Sequence, residues 1–405
     1  MAFLHGGGDV EKNSLSCDFI ISGHNSENCV TNLSKNRKQI IEKIYHSELS
    51  LLYQNNMKKI FRYALLLIGL LLLIGWIVTT FFPEKLVPMM LQQQLKRQIA
   101  QVEKNNQLLQ DDESIYVYTV GTSAPLPGER VQTGTAVIVN GHFFMFDVGD
   151  GVVRRAENMG LPLNKLDGIF ITHWHSDHFM DLSSMVSRTW LLGRTNDLHL
   201  YGPDGTDSIN QSIKGYLHLE NKHRVDHHGT QIMDISKARA IPHEFKNVQG
   251  GKEVVYQQDG ITITAFDVDH EPIEPAVGYA IEYKGKKVVI SGDTKKNDLV
   301  MEMAQNADLL LHEIILNSLL KEMESVISAQ GLTRNAKIIH DIQDYHTPPS
   351  EVAEIAAKAK VKKLILHHFA PAPDFRVVKN LYKKELSGYD GPIVFANDGD
   401  LFIVK

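Results

Sequence analysis

Short apolar runs rich in β-branched and aromatic residues recur from Ile115 onward, and several of them end in histidine or aspartate. Ile169-Phe170-Ile171-Thr172 runs straight into His173-Trp174-His175-Ser176-Asp177-His178. Ile261-Thr262-Ile263-Thr264-Ala265-Phe266 leads to His270, Val288-Val289-Ile290-Ser291-Gly292 to Asp293, and Leu364-Ile365-Leu366 to His367-His368. Such runs predict buried strands. Parallel strands of an open α/β sheet bring distant residues to one edge, where these proteins place their sites.

The intervening sequence fits that scheme. Tyr116-Val117-Tyr118-Thr119-Val120-Gly121 reads as a strand, and residues 134–147 as a hairpin turning at Asn140-Gly141. Helical spacing predicts helices over 152–159, 298–305, 316–328 and 349–359, the last opening at Thr347-Pro348-Pro349-Ser350-Glu351. The expected class is α/β, in one domain over 115–405 with enough chain for a single large core.

A different pattern precedes it. Residues 64–82 form an uncharged apolar run of 19 residues, long enough to cross a hydrocarbon core of about 30 Å. Lys58, Lys59 and Arg62 lie just before it and Pro83-Glu84-Lys85 just after. The positive-inside rule keeps the N-terminus in the cytoplasm and sends everything beyond Phe82 outward. The expectation is a signal anchor over 57–83 in the inner (plasma) membrane, with the later domain on the periplasmic side. Cleavage would instead release a secreted protein, but no A-x-A pattern follows the run. Residues 1–56 read as a polar tail, and Met57 as an alternative start. Residues 84–114 read as a helical stalk with Leu91, Leu95, Ile99 and Val102 at helical spacing, a stripe that would also serve a homodimer.

Composition narrows the chemistry. A hydrophobic content of 43 % and a charged content of 22 % are ordinary for a globular core. A net charge of -6 gives no strong nucleic-acid footprint. The only two cysteines, Cys17 and Cys29, precede the apolar run, so the later domain has neither a disulfide nor a thiolate ligand.

Imidazole and carboxylate without sulfur suit zinc, manganese or iron. His173 and His175 stand one residue apart at a strand end, and Asp177 and His178 follow on the turn into the next helix. The two pairs can therefore face two neighbouring divalent metals, most naturally Zn2+, and Asp293 can bridge them. Such a pair holds a shared hydroxide and clamps a reacting ester. His367 and His368 are equivalent candidates on spacing alone.

His173-x-His175-x-Asp177-His178 resembles the signature of the metallo-β-lactamase superfamily, whose fold is an αββα sandwich. The wider pattern is similar to its tRNase Z-like (ribonuclease Z and arylsulfatase-like) branch. Its elements are Gly121-Thr122, Phe146-Asp147-Val148-Gly149, Tyr201-Gly202-Pro203, Ser291-Gly292-Asp293-Thr294, His312-Glu313, His346-Thr347 and Leu364-Ile365-Leu366-His367-His368. The resemblance covers 115–405. It implies that His173, His175 and His270 hold one metal, that Asp177, His178 and His368 hold the other, and that Asp293 bridges. It favours His368 over His367. Asp147 is then expected to hold the turn beneath the site, Asp177 also to orient the hydroxide, His346 to protonate the leaving oxygen, and Glu313 to fix the His346 tautomer.

The expected function is a membrane-anchored binuclear hydrolase of a phosphodiester or related ester, with a small-molecule or oligonucleotide substrate. An arylsulfatase-type hydrolase and a ribonuclease Z-like nuclease are the alternatives, and a non-catalytic metal-stabilised binding module is the reading from outside that class. Short tRNA processors of the branch carry a long arm between the His270 region and the Asp293 turn. Here only Gly278-Tyr279-Ala280-Ile281-Glu282-Tyr283-Lys284-Gly285-Lys286 links them. His218, His223, His227, His228 and His243 show no ligand spacing and read as surface residues. Trp174 and Trp190 read as packing groups.

Overall fold

Asn140 and Gly141 both adopt left-handed backbone, with φ of 46° and 82°, as a two-residue hairpin turn matching strand twist requires. The computed structural model describes residues 26–246 and 248–405. The turn joins β2 (Gly134–Val139) to β3 (His142–Phe146), and β1 (Ile115–Gly121) pairs antiparallel on the other side of β2. From β3 the sheet continues in parallel through β4 (Gly168–Phe170), β5 (Leu198–Gly202) and β6 (Ala240–Glu244).

A second sheet repeats this plan of antiparallel pairs followed by parallel ones. β7 (Lys252–Gln258), β8 (Ile261–Val268), β9 (Ala276–Tyr283) and β10 (Lys286–Ile290) are antiparallel neighbours. β11 (Leu309–Ile315), β12 (Leu364–Ala370) and β13 (Ile393–Phe395) then add in parallel to β10. The final strand, β14 (Asp400–Val404), returns to the first sheet beside β1 and makes each sheet seven-stranded.

Burial follows the alternation of side chains along each strand. Val137, Phe144, Phe146 and Phe170 of the first sheet pack against Ile263, Tyr279, Ile281 and Leu311 of the second in one buried cluster. Ile138, Phe143 and Met145, on the opposite face of the first sheet, are covered by Val152, Leu182 and Met185 from helices Val152–Asn158 and Leu182–Leu191. Val289, Leu310 and Leu366 are covered by Val300, Val352 and Ile355 from Asp298–Met303 and Pro349–Lys358. The result is four layers, α, β, β, α. The predicted helices over 152–159, 298–305, 316–328 and 349–359 end within two residues of those observed, the third being Asn317–Ala329.

The chain divides into units Met1–Leu91 and Gln92–Lys405. In the first, a helix runs over Ser26–Phe81, so the expected polar tail is helical from Ser26 and Met57 lies inside that helix. Residues 1–25, with Cys17, lie outside the described residues. Over Arg37–Phe81 an 18-residue window has mean hydropathy 2.5 with none of it buried, so by length and composition alone this helix could cross a membrane. In the second unit the end of helix Pro83–Leu108 is docked rather than free. Asn105 is buried, its Nδ2 donates to the carbonyls of Met159 (3.0 Å) and Gly160 (2.8 Å), and its Oδ1 accepts from Tyr118 Oη (3.1 Å). The compact unit therefore begins at Gln92, inside the expected stalk.

Candidate metal centre

The strand ends deliver the site as their direction dictates. β3 exits through Asp147, whose φ is 58°. Its Oδ1 accepts from the Thr172 amide at 2.8 Å and its Oδ2 from Thr172 Oγ1 at 2.9 Å, which holds the exit of β4 against that of β3. His173 follows directly. His175 precedes the one-turn helix Ser176–Phe179, which carries Asp177 and His178. That turn lies so close to the β3 exit that a Cβ on Gly149 would stand 2.1 Å from the Asp177 carbonyl oxygen.

The second sheet supplies the rest. Asp293 leaves β10 through Gly292, whose φ is +64° and whose added Cβ would meet the Val277 carbonyl oxygen at 2.4 Å. Only glycine fits both the backbone and the space. His270 follows β8, and its Nδ1 donates to the Tyr345 carbonyl at 3.0 Å, which leaves Nε2 as the lone-pair nitrogen facing inward. The β11–β12 register jumps from Glu313↔His367 to Ile314↔Phe369, which makes His368 the extra residue of a β-bulge, with φ 48°. That bulge turns His368 into the site.

The nitrogens and oxygens converge in two neighbouring sets. His175 Nδ1 lies 2.9 Å from His173 Nε2 and 3.3 Å from His270 Nε2. In the other set, His368 Nε2 lies 3.1 Å from Asp177 Oδ2, 3.3 Å from His178 Nε2 and 3.1 Å from Asp293 Oδ2. The same Asp293 oxygen is 3.1 Å from His178 Nε2 and 3.9 Å from His173 Nε2, so it stands between the sets. Each set keeps its donor atoms within 4.8 Å of one another. His367 lies outside both, buried, with neither ring nitrogen hydrogen-bonded.

Electrostatics separates the sets. Burial pushes His173 well below the ordinary imidazole value, lowers His175, and takes His270 to about 4. Burial thus favours the neutral, lone-pair-bearing form of all three rings. Burial acts against charge on His178 and His368 as well, but Asp293 leads the opposing carboxylates. His178 is held well above its usual value, and His368, also touching Asp177, is raised to about 10. Burial would raise Asp177 and Asp293, yet His178 and His368 outweigh it and hold both carboxyls far below their usual range. A buried space with so much carboxylate charge demands positive charge, and the donor set suits divalent cations.

Two supporting residues act at the edge. Glu313 Oε1 accepts from the Thr347 amide at 2.8 Å and sits 3.3 Å from His346 Nδ1, although the angle there falls short of a hydrogen bond. His346 stacks on His368 with centroids 5.4 Å apart. His178 Nδ1 lies 2.8 Å from Asp147 Oδ2, so Asp147 also orients a site histidine, a role beyond holding the turn. Tyr345 was absent from the sequence expectations, although it immediately precedes His346. The histidines without ligand spacing are at the surface as expected, His218, His223, His227 and His228 on helix His218–His228 and His243 exposed beside His199, and Trp190 is buried.

An αββα sandwich with paired histidine–aspartate sets at its strand ends defines a metal-dependent hydrolase. The family model described as the Beta-lactamase superfamily domain matches residues 144–369, more than half of the chain, and the chain belongs to that superfamily, in its ribonuclease Z-like branch. It is a metal-dependent hydrolase acting on ester bonds. It is 32 % identical to ribonuclease Z of Mycolicibacterium paratuberculosis over 262 residues, covering 64 % of this chain and 87 % of the relative. Ribonuclease Z of Mycobacterium avium is 31 % identical over 262 residues with the same two coverages. Among solved structures, a metallo-β-lactamase fold protein from Bacillus subtilis aligns at TM-score 0.52 and 18 % identity over 72 % of this chain and all of its own, which supports the fold. The short form of human tRNase Z aligns at TM-score 0.51 and 20 % identity, covering 71 % of this chain and 98 % of its own.

Proposed function

We propose that this chain is a binuclear phosphodiesterase in which His173, His175 and His270 would hold one divalent cation and Asp177, His178 and His368 a second, with Asp293 available to both. The convergence of neutral imidazoles on one side of Asp293 and carboxylate-rich ligands on the other carries this reading. Zinc suits these donors, and manganese or iron share them. When bound, such cations lower the pKa of water from about 15.7 towards about 7 and polarise the ester.

The protein's own groups do the rest. Asp147 holds His178 in the tautomer that presents Nε2. Asp177 is placed to accept a proton from the attacking water. His346, backed by Glu313, stands beside Asp293 and His368 to protonate the leaving oxygen. The apolar helix is proposed to anchor the chain in a membrane, with the second unit on its outer face.

Hydrolysis of RNA is the second reading, favoured by the relatives named ribonuclease Z. The full chain in detergent, loaded with zinc, separates the possibilities when given a bis-aryl phosphate, an aryl sulfate and a precursor tRNA, with and without chelator. Turnover of the phosphodiester that chelator abolishes is the expected result, and Asp293→Ala should lose metal and rate together. A fully metal-loaded protein that turns over none of the three is a binding module instead.

A further inference from the structure

One segment that carries none of the seven proposed ligands contributes to both walls of the mouth of the site. Helix Thr333–Ile342 packs Ile339 and Ile342 against Ile315, Leu320 and Ala370, in a small apolar cluster of its own. Its chain then turns through Tyr345 to His346. Ile338 is left out of that core, with 47 % of its surface exposed.

Two bays open above the ligands, and they share His175 and Tyr345. One holds about 200 Å3 and is walled by Pro125, Leu126, Ile338, Ile342, Tyr345 and Ala370, over a floor that includes Asp293, His346 and His368. The other holds about 420 Å3 and is bordered by His270, Ile273, Glu271, Asp341 and Asp344. Neither is lined by lysine or arginine among the described residues. Three of the basic residues around them are tied to carboxylates: Lys295 to Asp269 at 3.2 Å, Lys337 to Asp341, and Arg130 to Asp374 at 2.6 Å.

Resting on the phosphodiesterase reading above, we propose that the substrate is a small diester with an apolar leaving alcohol, and that Leu126, Ile338, Ile342 and Tyr345 determine this specificity. The leaving oxygen must lie beside its proton donor, and His346 forms part of the floor of the apolar bay, so the leaving group occupies that bay. The space suits one aromatic ring or a short alkyl chain, since an apolar cavity of about 150 Å3 already binds benzene. Ile338 gains burial only when that group is bound. A polyanion is disfavoured in this bay, because each added phosphate needs a cation to neutralise it, whereas the carboxylates of Glu271 and Asp344 border the neighbouring bay.

The test compares kcat/KM of the zinc-loaded full chain for bis(4-nitrophenyl) phosphate and for a 3′-labelled oligoribonucleotide. The small diester should be preferred by at least tenfold. Ile338→Ser, at a half-exposed position, should raise KM for the aryl diester about tenfold, with kcat and bound metal unchanged and Ile338→Val close to wild type. Asp344→Lys should narrow the preference by improving the oligonucleotide alone. An oligonucleotide cleaved as well as the aryl diester, or an unmoved KM in Ile338→Ser, overturns the proposal while leaving the phosphodiesterase reading intact. No hydrolysis of either ester by metal-loaded protein overturns both.

Discussion

Asp147 Oδ2 lies 2.8 Å from His178 Nδ1, and this contact decides which nitrogen His178 turns towards Asp293 and His368. A carboxylate accepts only, so the Nδ1 proton is fixed and Nε2 is left facing the centre, available to a cation. Asp147→Ala should therefore weaken metal binding by about 10–100-fold, read by competition with a calibrated chelator. Unchanged affinity would remove Asp147 from the site and return it to the turn.

Gly292 makes a second test, independent of metal. Its positive φ costs an alanine roughly 1–2 kcal/mol, and the Val277 carbonyl in the way adds to that. Gly292→Ala should lower unfolding stability by more than Gly193→Ala, where φ is +93° but nothing lies within 4 Å of the added Cβ. Equal losses in denaturant titrations would show that close approach plays no part.

The docked end of helix Pro83–Leu108 predicts a stability effect far from the centre. Asn105→Ala leaves the carbonyls of Met159 and Gly160 and the Tyr118 hydroxyl without this partner. The expected cost is roughly 1–3 kcal/mol, with the ester-hydrolysis rate at low temperature retained. A variant as stable as wild type would mean that the helix end is only resting on the domain.

His142 gives the fold a pH dependence. The Asp167 carboxylate, 3.5 Å from Nδ1, raises its pKa, burial opposes that rise, and Asp259 adds to it, with Nε2 2.9 Å from the Asp259 carboxylate. Because the folded value exceeds the unfolded one of about 6.5, the stabilisation is complete below that pH. It is lost as pH rises through the folded value. Melting temperature should fall over this interval in wild type and fall less in His142→Gln. Parallel curves for the two proteins would show that this contact is not coupled to folding.

Much of the architecture was legible because burial leaves a mark on local sequence. The apolar runs before His173, His270 and Asp293 became β4, β8 and β10 with these candidate ligands just beyond them, and Asn140-Gly141 became the hairpin turn. The docking of Asn105 left no such mark, since a lone asparagine on a polar helix face looks solvated until its partners at 118, 159 and 160 fold around it. Tyr345 and Ile338 were invisible for the same reason: their neighbours in space come from loops and strands far away in the chain.

The sequence by itself determined which side chains are available as ligands, where the strands stop and where the apolar helix lies, since these follow from periodicity and residue chemistry. Between His367 and His368 it offered only adjacency and a family likeness. The tertiary structure decided, because a bulge exists only relative to a partner strand. β11 pairs past His368, its backbone turns left-handed, and the ring swings to the cluster while His367 stays outside it. The apolar bay over the ligands was likewise decided by packing, where a helix buries two isoleucines and leaves a third facing the mouth.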